Sequence, residues 1–250
     1  MEELKGASIN EIERLFKKKK AYVAAIISIL SIIIGQLVVI GFRLGTGSRA
    51  ADRAEFPLLV LSIYINTILP LFTALVTIDM FTGEFSQNTI KIALLRPISR
   101  LKLYFSKIIA ITFFVFINLF LVMALSTLAG MFFNPGTMSI KELLRILLAY
   151  TVSMLPILTI TLILVFIANL FKNGVVAFLV STILYIAMKA FEIYNNSYKI
   201  IFITSTLGWY SHWTGSEIPI DSLVREFLVM FACSLMAFSA GFYLFDKKEL

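Results

Sequence analysis

Long uncharged runs alternate along the chain with short charged blocks. Six of the runs are long enough to cross about 30 Å of hydrocarbon as helices. They cover 21–42, 56–78, 104–130, 145–170, 174–194 and 223–245. Between and before them lie three pieces with patterns of their own. In 8–20, Ile9, Ile12, Leu15 and Phe16 recur at spacings of three, three and one among charged residues. That pattern fits an amphipathic helix lying at the membrane interface, or equally a positively charged anchor before a span. The segment 79–103 mixes Phe and Leu with Lys and Arg. The segment 195–222 carries a short apolar run ending at Ile203 and then Trp209, Tyr210 and Trp213. It reads as a partly inserted cap with an aromatic belt, or as a folded loop outside the membrane. The first run, Ala21 to Phe42, exceeds the apolar core of a cleaved signal and ends without a small-residue cleavage site, so it is read as a retained span.

Composition sharpens this picture. Hydrophobic residues make up 59% of the 250 positions and charged residues only 15%, with a mean hydropathy of +0.92. Soluble domains carry about a quarter charged residues. The fold class expected is therefore all-α: an integral membrane protein of six transmembrane helices with an N-terminal interfacial helix, forming a single domain over 1–250. Of the 22 basic residues, 14 fall before the first span, between the second and third, in the turn after the fourth, or in the tail. The positive-inside rule then places both termini in the cytoplasm. Because most of the net charge of +7 flanks the spans, it is an orientation signal, and no nucleic-acid partner is expected.

The candidate chemistry inside the spans is sparse. Asp79, Lys107, Lys189, Glu192, Arg225 and Glu226 fall near predicted span ends, leaving Gln36, Asn66, Asn118 and hydroxyls deeper. Ion coupling, which needs ionisable groups within the bilayer, has no visible machinery. His212 is the single histidine and Cys233 the single cysteine, so neither a His-rich metal site nor an internal disulfide can form. Gly45-Thr46-Gly47-Ser48 fails the phosphate-loop pattern, so the chain is expected to hydrolyse no nucleotide and to bind no cofactor. One polar stripe stands out in the second span: Asn66, Pro70, Thr73 and Thr77 recur at four, three and four and share a helix face. It either lines a polar path at the contact between two chains or packs within its own chain.

The segment after the second span changes the reading. If it is helical to about Leu95, then Phe81, Phe85, Ile92 and Leu95 lie close together around the helix, and Pro97 stops it. Glu84, Lys91, Arg96 and Arg100 would then face a partner; a positively charged stop-transfer loop is the plain alternative. The order Glu84, Thr89-Ile90-Lys91, Leu94-Leu95, Pro97, Ser99-Arg100 and Lys107 resembles the signature of the type-2 ABC exporter permeases. About 30 residues carry the motif, and the six-span layout extends the likeness along the chain.

This resemblance implies that 79–103 contains a coupling helix seated in a separate ABC-type ATPase subunit. Phe81, Glu84, Phe85, Thr89, Ile90, Lys91, Leu95, Arg96, Pro97, Ser99 and Arg100 would be its contact residues. It also implies two ATPase subunits that bind ATP and Mg, two permease chains that are identical or homologous, and short re-entrant helices in 195–222. The compact chain is most similar to the bacitracin and lantibiotic-resistance permeases, which implies an amphipathic peptide or lipid-like substrate exported across the plasma membrane. The competing classes are an intramembrane enzyme, which would need polar catalytic groups in the spans, and a channel or scaffold without energy coupling.

Overall fold

The computed structural model describes residues 2–46, 51–86, 99–194, 202–215 and 219–247. Among these residues the structure is helical, with no strand. Helix α1 (Glu2–Lys17) leads at a bend into α2 (Lys19–Thr46), and α3 (Glu55–Asn66) is followed by α4 (Ile68–Ser86). Next come α5 (Arg100–Phe133), α6 (Ile140–Val152), α7 (Met154–Leu170) and α8 (Gly174–Tyr194). A 3-10 helix (Ile203–Gly208), the short α9 (Tyr210–Thr214) and α10 (Ile220–Lys247) complete the described chain. By length and apolarity α2, α5, α6 with α7, α8 and α10 can each cross a membrane, and the bent pair α3–α4 can serve as a sixth span. A helix lies over each of the six runs found in the sequence.

Both interrupted spans break at the same chemical feature. Pro70 has no amide hydrogen, so the carbonyl of Asn66, four residues back, lacks its helical donor. The chain bends by 42° there, and Tyr185 on α8 donates its hydroxyl to the Asn66 carbonyl at 2.8 Å. The α6–α7 break at Ser153 likewise stands three residues before a proline, Pro156. Ser153 turns its hydroxyl back to the Ala149 carbonyl at 2.7 Å. In hydrocarbon the carbonyl that Pro70 frees must find a partner within the protein, whereas the Ala149 carbonyl also keeps the Ser153 backbone amide at 3.1 Å. Tyr185→Phe is therefore expected to lower stability by about 1–3 kcal/mol by stranding the Asn66 carbonyl, read as the midpoint of denaturant-induced unfolding in micelles. An unchanged midpoint would mean that another donor replaces the tyrosine.

α7 is the central helix, packed by α4, α5, α8 and α10, and it buries Ile157, Thr161, Val165 and Ala168 completely or nearly so. By contrast, α8 keeps Val175, Leu179, Ile183 and Ile186 exposed along one apolar stripe, the surface of a helix facing lipid tails or another chain. Gly136, in the left-handed region at φ 116°, turns the chain between α5 and α6. At that end Gln36 donates to the Asn134 side-chain carbonyl at 2.9 Å, and Arg53 Nε donates to the Asn134 backbone carbonyl at 2.8 Å.

The described part of the 195–222 segment folds over the same end of the bundle. Ile203 and Leu207 enter the main core, and Trp209 packs with Leu223 and Met230 of α10. Lys189 and Glu192 at the end of α8 form an ion pair at 2.9 Å and both bond to Thr204. His212 lies 3.3 Å from Glu226. These charged residues, expected near span ends, tie the cap down.

Candidate coupling site at the basic end of the bundle

The opposite end gathers α1, the end of α4, the start of α5 and the end of α10. α4 does not stop at the membrane-length run but continues as helix to Ser86, and its last turns bury Met80, Phe81 and Thr82. Phe81 packs edge-on against Tyr104 of α5 and Phe245 of α10, with ring centroids 5.6 and 5.9 Å away. Thr82 donates its hydroxyl to the Ala168 carbonyl at the end of α7, at 2.7 Å. The helix leaving the second span is thus fixed to α5, α7 and α10 before it enters the motif segment.

On the far side of that segment the chain resumes at Ser99. Its extended backbone (φ −65°, ψ 147°) and a hydroxyl accepting the Lys102 amide cap the start of α5, which satisfies one of the donors a helix N-terminus leaves open. Arg100 donates to the Asp246 backbone carbonyl near the end of α10 and sits 3.9 Å from its carboxylate. Of the residues singled out for coupling, Phe81, Ser99 and Arg100 are therefore brought to one place. Thr89, Ile90, Lys91, Leu95, Arg96 and Pro97 lie outside the described residues, as do the side chains of Glu84 and Phe85.

Among the described residues, three ion pairs join this end to the N-terminal helix and the corner that follows it. Glu3 meets Lys102 at 2.7 Å, Glu11 meets Lys107 at 3.3 Å, and Lys18, at the corner after α1, meets Asp79 of α4 at 2.6 Å. The hydrogen bond and charge of Lys102 hold the Glu3 carboxyl below its ordinary value. That tie is complete above the usual carboxylate range and weakens as pH falls through it. The Glu11–Lys107 pair differs in kind, because the two side chains are only 4% and 0% exposed. Sequence reasoning placed Lys107 in the motif but missed its partner, since no local pattern links residues 96 positions apart.

Most of the apolar face expected of α1 packs inward: Leu15 is buried, and Ile12 and Phe16 pack against the core. Ala7, Ser8, Glu11 and Leu15 are buried, whereas Ile9 is 48% exposed. Small residues at Ala7 and Ser8 complete the buried face that α1 turns to α5.

The polar stripe of the second span lies further up the bundle. Thr73 and Thr77 are fully buried within the chain, and Thr73 returns its hydroxyl to the Leu69 carbonyl at 2.7 Å. Pro70 borders a cavity of a few tens of Å³ at most, lined also by Ser181 and Tyr185 of α8. Asn66 bonds back to the Ser62 carbonyl. Among the described residues no group of three or more His, Cys, Asp or Glu side chains converges as a metal set.

Residues 11–188 match the family model described as ABC-2 family transporter protein. The match runs from the second half of α1 to the later turns of α8 and so includes Lys18, Asp79, Lys102 and Lys107. No curated protein sequence matches the chain.

Proposed function

The chain belongs to the ABC-2 family of transporter proteins, and from that premise we propose that it is the membrane-spanning subunit of an ATP-driven exporter, energised through residues 79–103. It is a multi-pass membrane protein and a transport subunit, and family membership implies an ABC-type ATPase partner. The finer reading is ours: two ATPase subunits that hold ATP and Mg, a second permease chain, a plasma-membrane location with both termini cytoplasmic, and an amphipathic peptide or lipid-like substrate.

The observation that carries the coupling reading is the continuity of α4. A helix that runs unbroken from the bilayer to Ser86, with Phe81 and Thr82 locked against three other helices, moves those helices when its end is moved. A pump without its own energy source works when a partner binds two of its conformations with different affinity. Driving a two-state permease from 1:99 to 99:1 takes about 5.5 kcal/mol of such differential binding, and a slack connection would lose it. The enclosed positions of Thr73 and Thr77 favour packing within the chain, rather than lining of an intersubunit path, as the role of the polar stripe.

Charge reversal tests the docking role. Glu84→Lys is expected to weaken ATPase binding by about 2–5 kcal/mol, the cost of spoiling one member of a desolvated charge contact, measured by pull-down from detergent. An ATPase that binds the variant as well as the wild type removes Glu84 from the docking surface. The orientation is tested by thiol labelling of Ser48→Cys, Ser86→Cys and Ser216→Cys in intact cells after replacement of Cys233. Positions 48 and 216 should label from outside; labelling of 86 from outside would invert the topology.

A further inference from the structure

We propose that α9, with the Trp209 that precedes it, fills a binding site for a cationic amphiphile and competes with that ligand. The site is an apolar cleft between the α6–α7 break and α10, with the Glu226 carboxylate at its edge. What fills the cleft shows its chemistry. Trp209 forms with Leu223 and Met230 of α10 a small core separate from the main one. Trp213 packs against that core together with Val152 and Leu155, which stand on either side of the break at Ser153. His212, between the two tryptophans, meets Glu226 at 3.3 Å. An aromatic body in an apolar cleft and a basic group on a carboxylate are the two features that a cationic amphiphile presents to a protein.

The fit of α9 is incomplete in three places. The second Glu226 oxygen, Oε2, is enclosed without a donor, and the ring N–H groups of Trp209 and Trp213 are enclosed without an acceptor among the described residues. Buried groups of these kinds ordinarily have partners. His212 places one ring nitrogen on the carboxylate, whereas a primary ammonium carries three donors and can serve both oxygens. The alkyl chain of the ligand would replace the indole rings, and both indoles would regain water once α9 lifts. Glu192 is already engaged by Lys189 and Thr204, so Glu226 is the carboxylate open to a ligand. α9 can lift while the rest of the cap stays in place. The 3-10 helix is anchored by Ile203 and Leu207 in the main core and by Thr204 to α8. Gly208 follows it, and a Cβ there would meet nothing within 4 Å, which leaves the chain free to turn at that point.

The test uses the full-length chain in phosphatidylcholine nanodiscs, with dodecylamine as the probe and dodecanol as its uncharged counterpart. Trp209 and Trp213 are the two tryptophans of the chain, so intrinsic emission reports this cleft. Dodecylamine is expected to shift the emission to the red at a concentration about tenfold below the one dodecanol requires, the gain from one hydrogen bond to a charged group. A diazirine-bearing dodecylamine should label 152–155 and 223–230. The two members of the ion pair should act in opposite senses. His212→Ala removes the competitor from Glu226 and should raise labelling by about threefold, in keeping with the modest worth of a partly exposed pair. Glu226→Gln should lower labelling to the level of the diazirine-bearing dodecanol. Val152→Phe, which narrows the cleft and keeps both charged partners, should lower labelling by either probe. Equal potency of dodecylamine and dodecanol on the wild type overturns the proposal. So does labelling that moves in the same direction in His212→Ala and Glu226→Gln, as a purely structural pair would give, or labelling that Val152→Phe leaves unchanged.

Discussion

Glu11→Ala is expected to cost about 3–5 kcal/mol of stability, the penalty for removing one member of a buried ion pair. Lys107 is fully enclosed, and water cannot reach it to replace the lost carboxylate. The same physics makes the pair dispensable as a pair: Glu11→Leu with Lys107→Met should come close to the wild type or exceed it, since apolar side chains of similar volume carry no desolvation cost. Unfolding in mild micelles, followed for the two single variants and the double, gives the coupling energy directly. If Glu11→Ala unfolds at the wild-type midpoint, α1 is not packed on α5 as described.

Gly241→Ala is expected to cost about 1–3 kcal/mol through overpacking. A methyl group at this position would stand 2.5 Å from the Tyr104 hydroxyl and 3.5 Å from the Phe166 backbone. The tyrosine cannot swing aside easily, because its ring is edge-packed by Phe81, Phe238 and Phe242 at 5.4–5.6 Å. Its hydroxyl also donates to the Phe238 carbonyl. The contact is specific enough to be rescued: Tyr104→Phe in the Gly241→Ala background removes the clashing oxygen and should recover much of the loss. Thermal unfolding of the three variants decides this, and an undisturbed Gly241→Ala would contradict the close approach of α10 to α5.

The spans were legible because a run of some 20 apolar residues has few other uses. Their internal breaks were less so. Pro70 belongs to the polar stripe by its spacing, and only the structure pairs the carbonyl it strands with Tyr185, 119 positions away. The face of α1 was legible in part: Ile12, Leu15 and Phe16 pack inward, whereas Ile9 does not. Hydrophobic spacing could not show that Ala7 and Ser8 are buried beside α5, with Glu11 accepted because Lys107 faces it. The motif around Glu84 to Lys107 was legible as an order of residue types. What that order could not convey is that Arg100 reaches the end of α10 and Lys107 reaches α1, since both contacts depend on how distant helices come together.

The central claim, that an ATPase drives this chain through the segment after its second span, is tested most directly by purifying the tagged chain from its native membranes in mild detergent. The account predicts one P-loop subunit per permease chain in the wild-type preparation and its loss in the Glu84→Lys preparation. A wild-type chain that is folded, and that purifies from those membranes with no P-loop protein in any mild detergent, would contradict it.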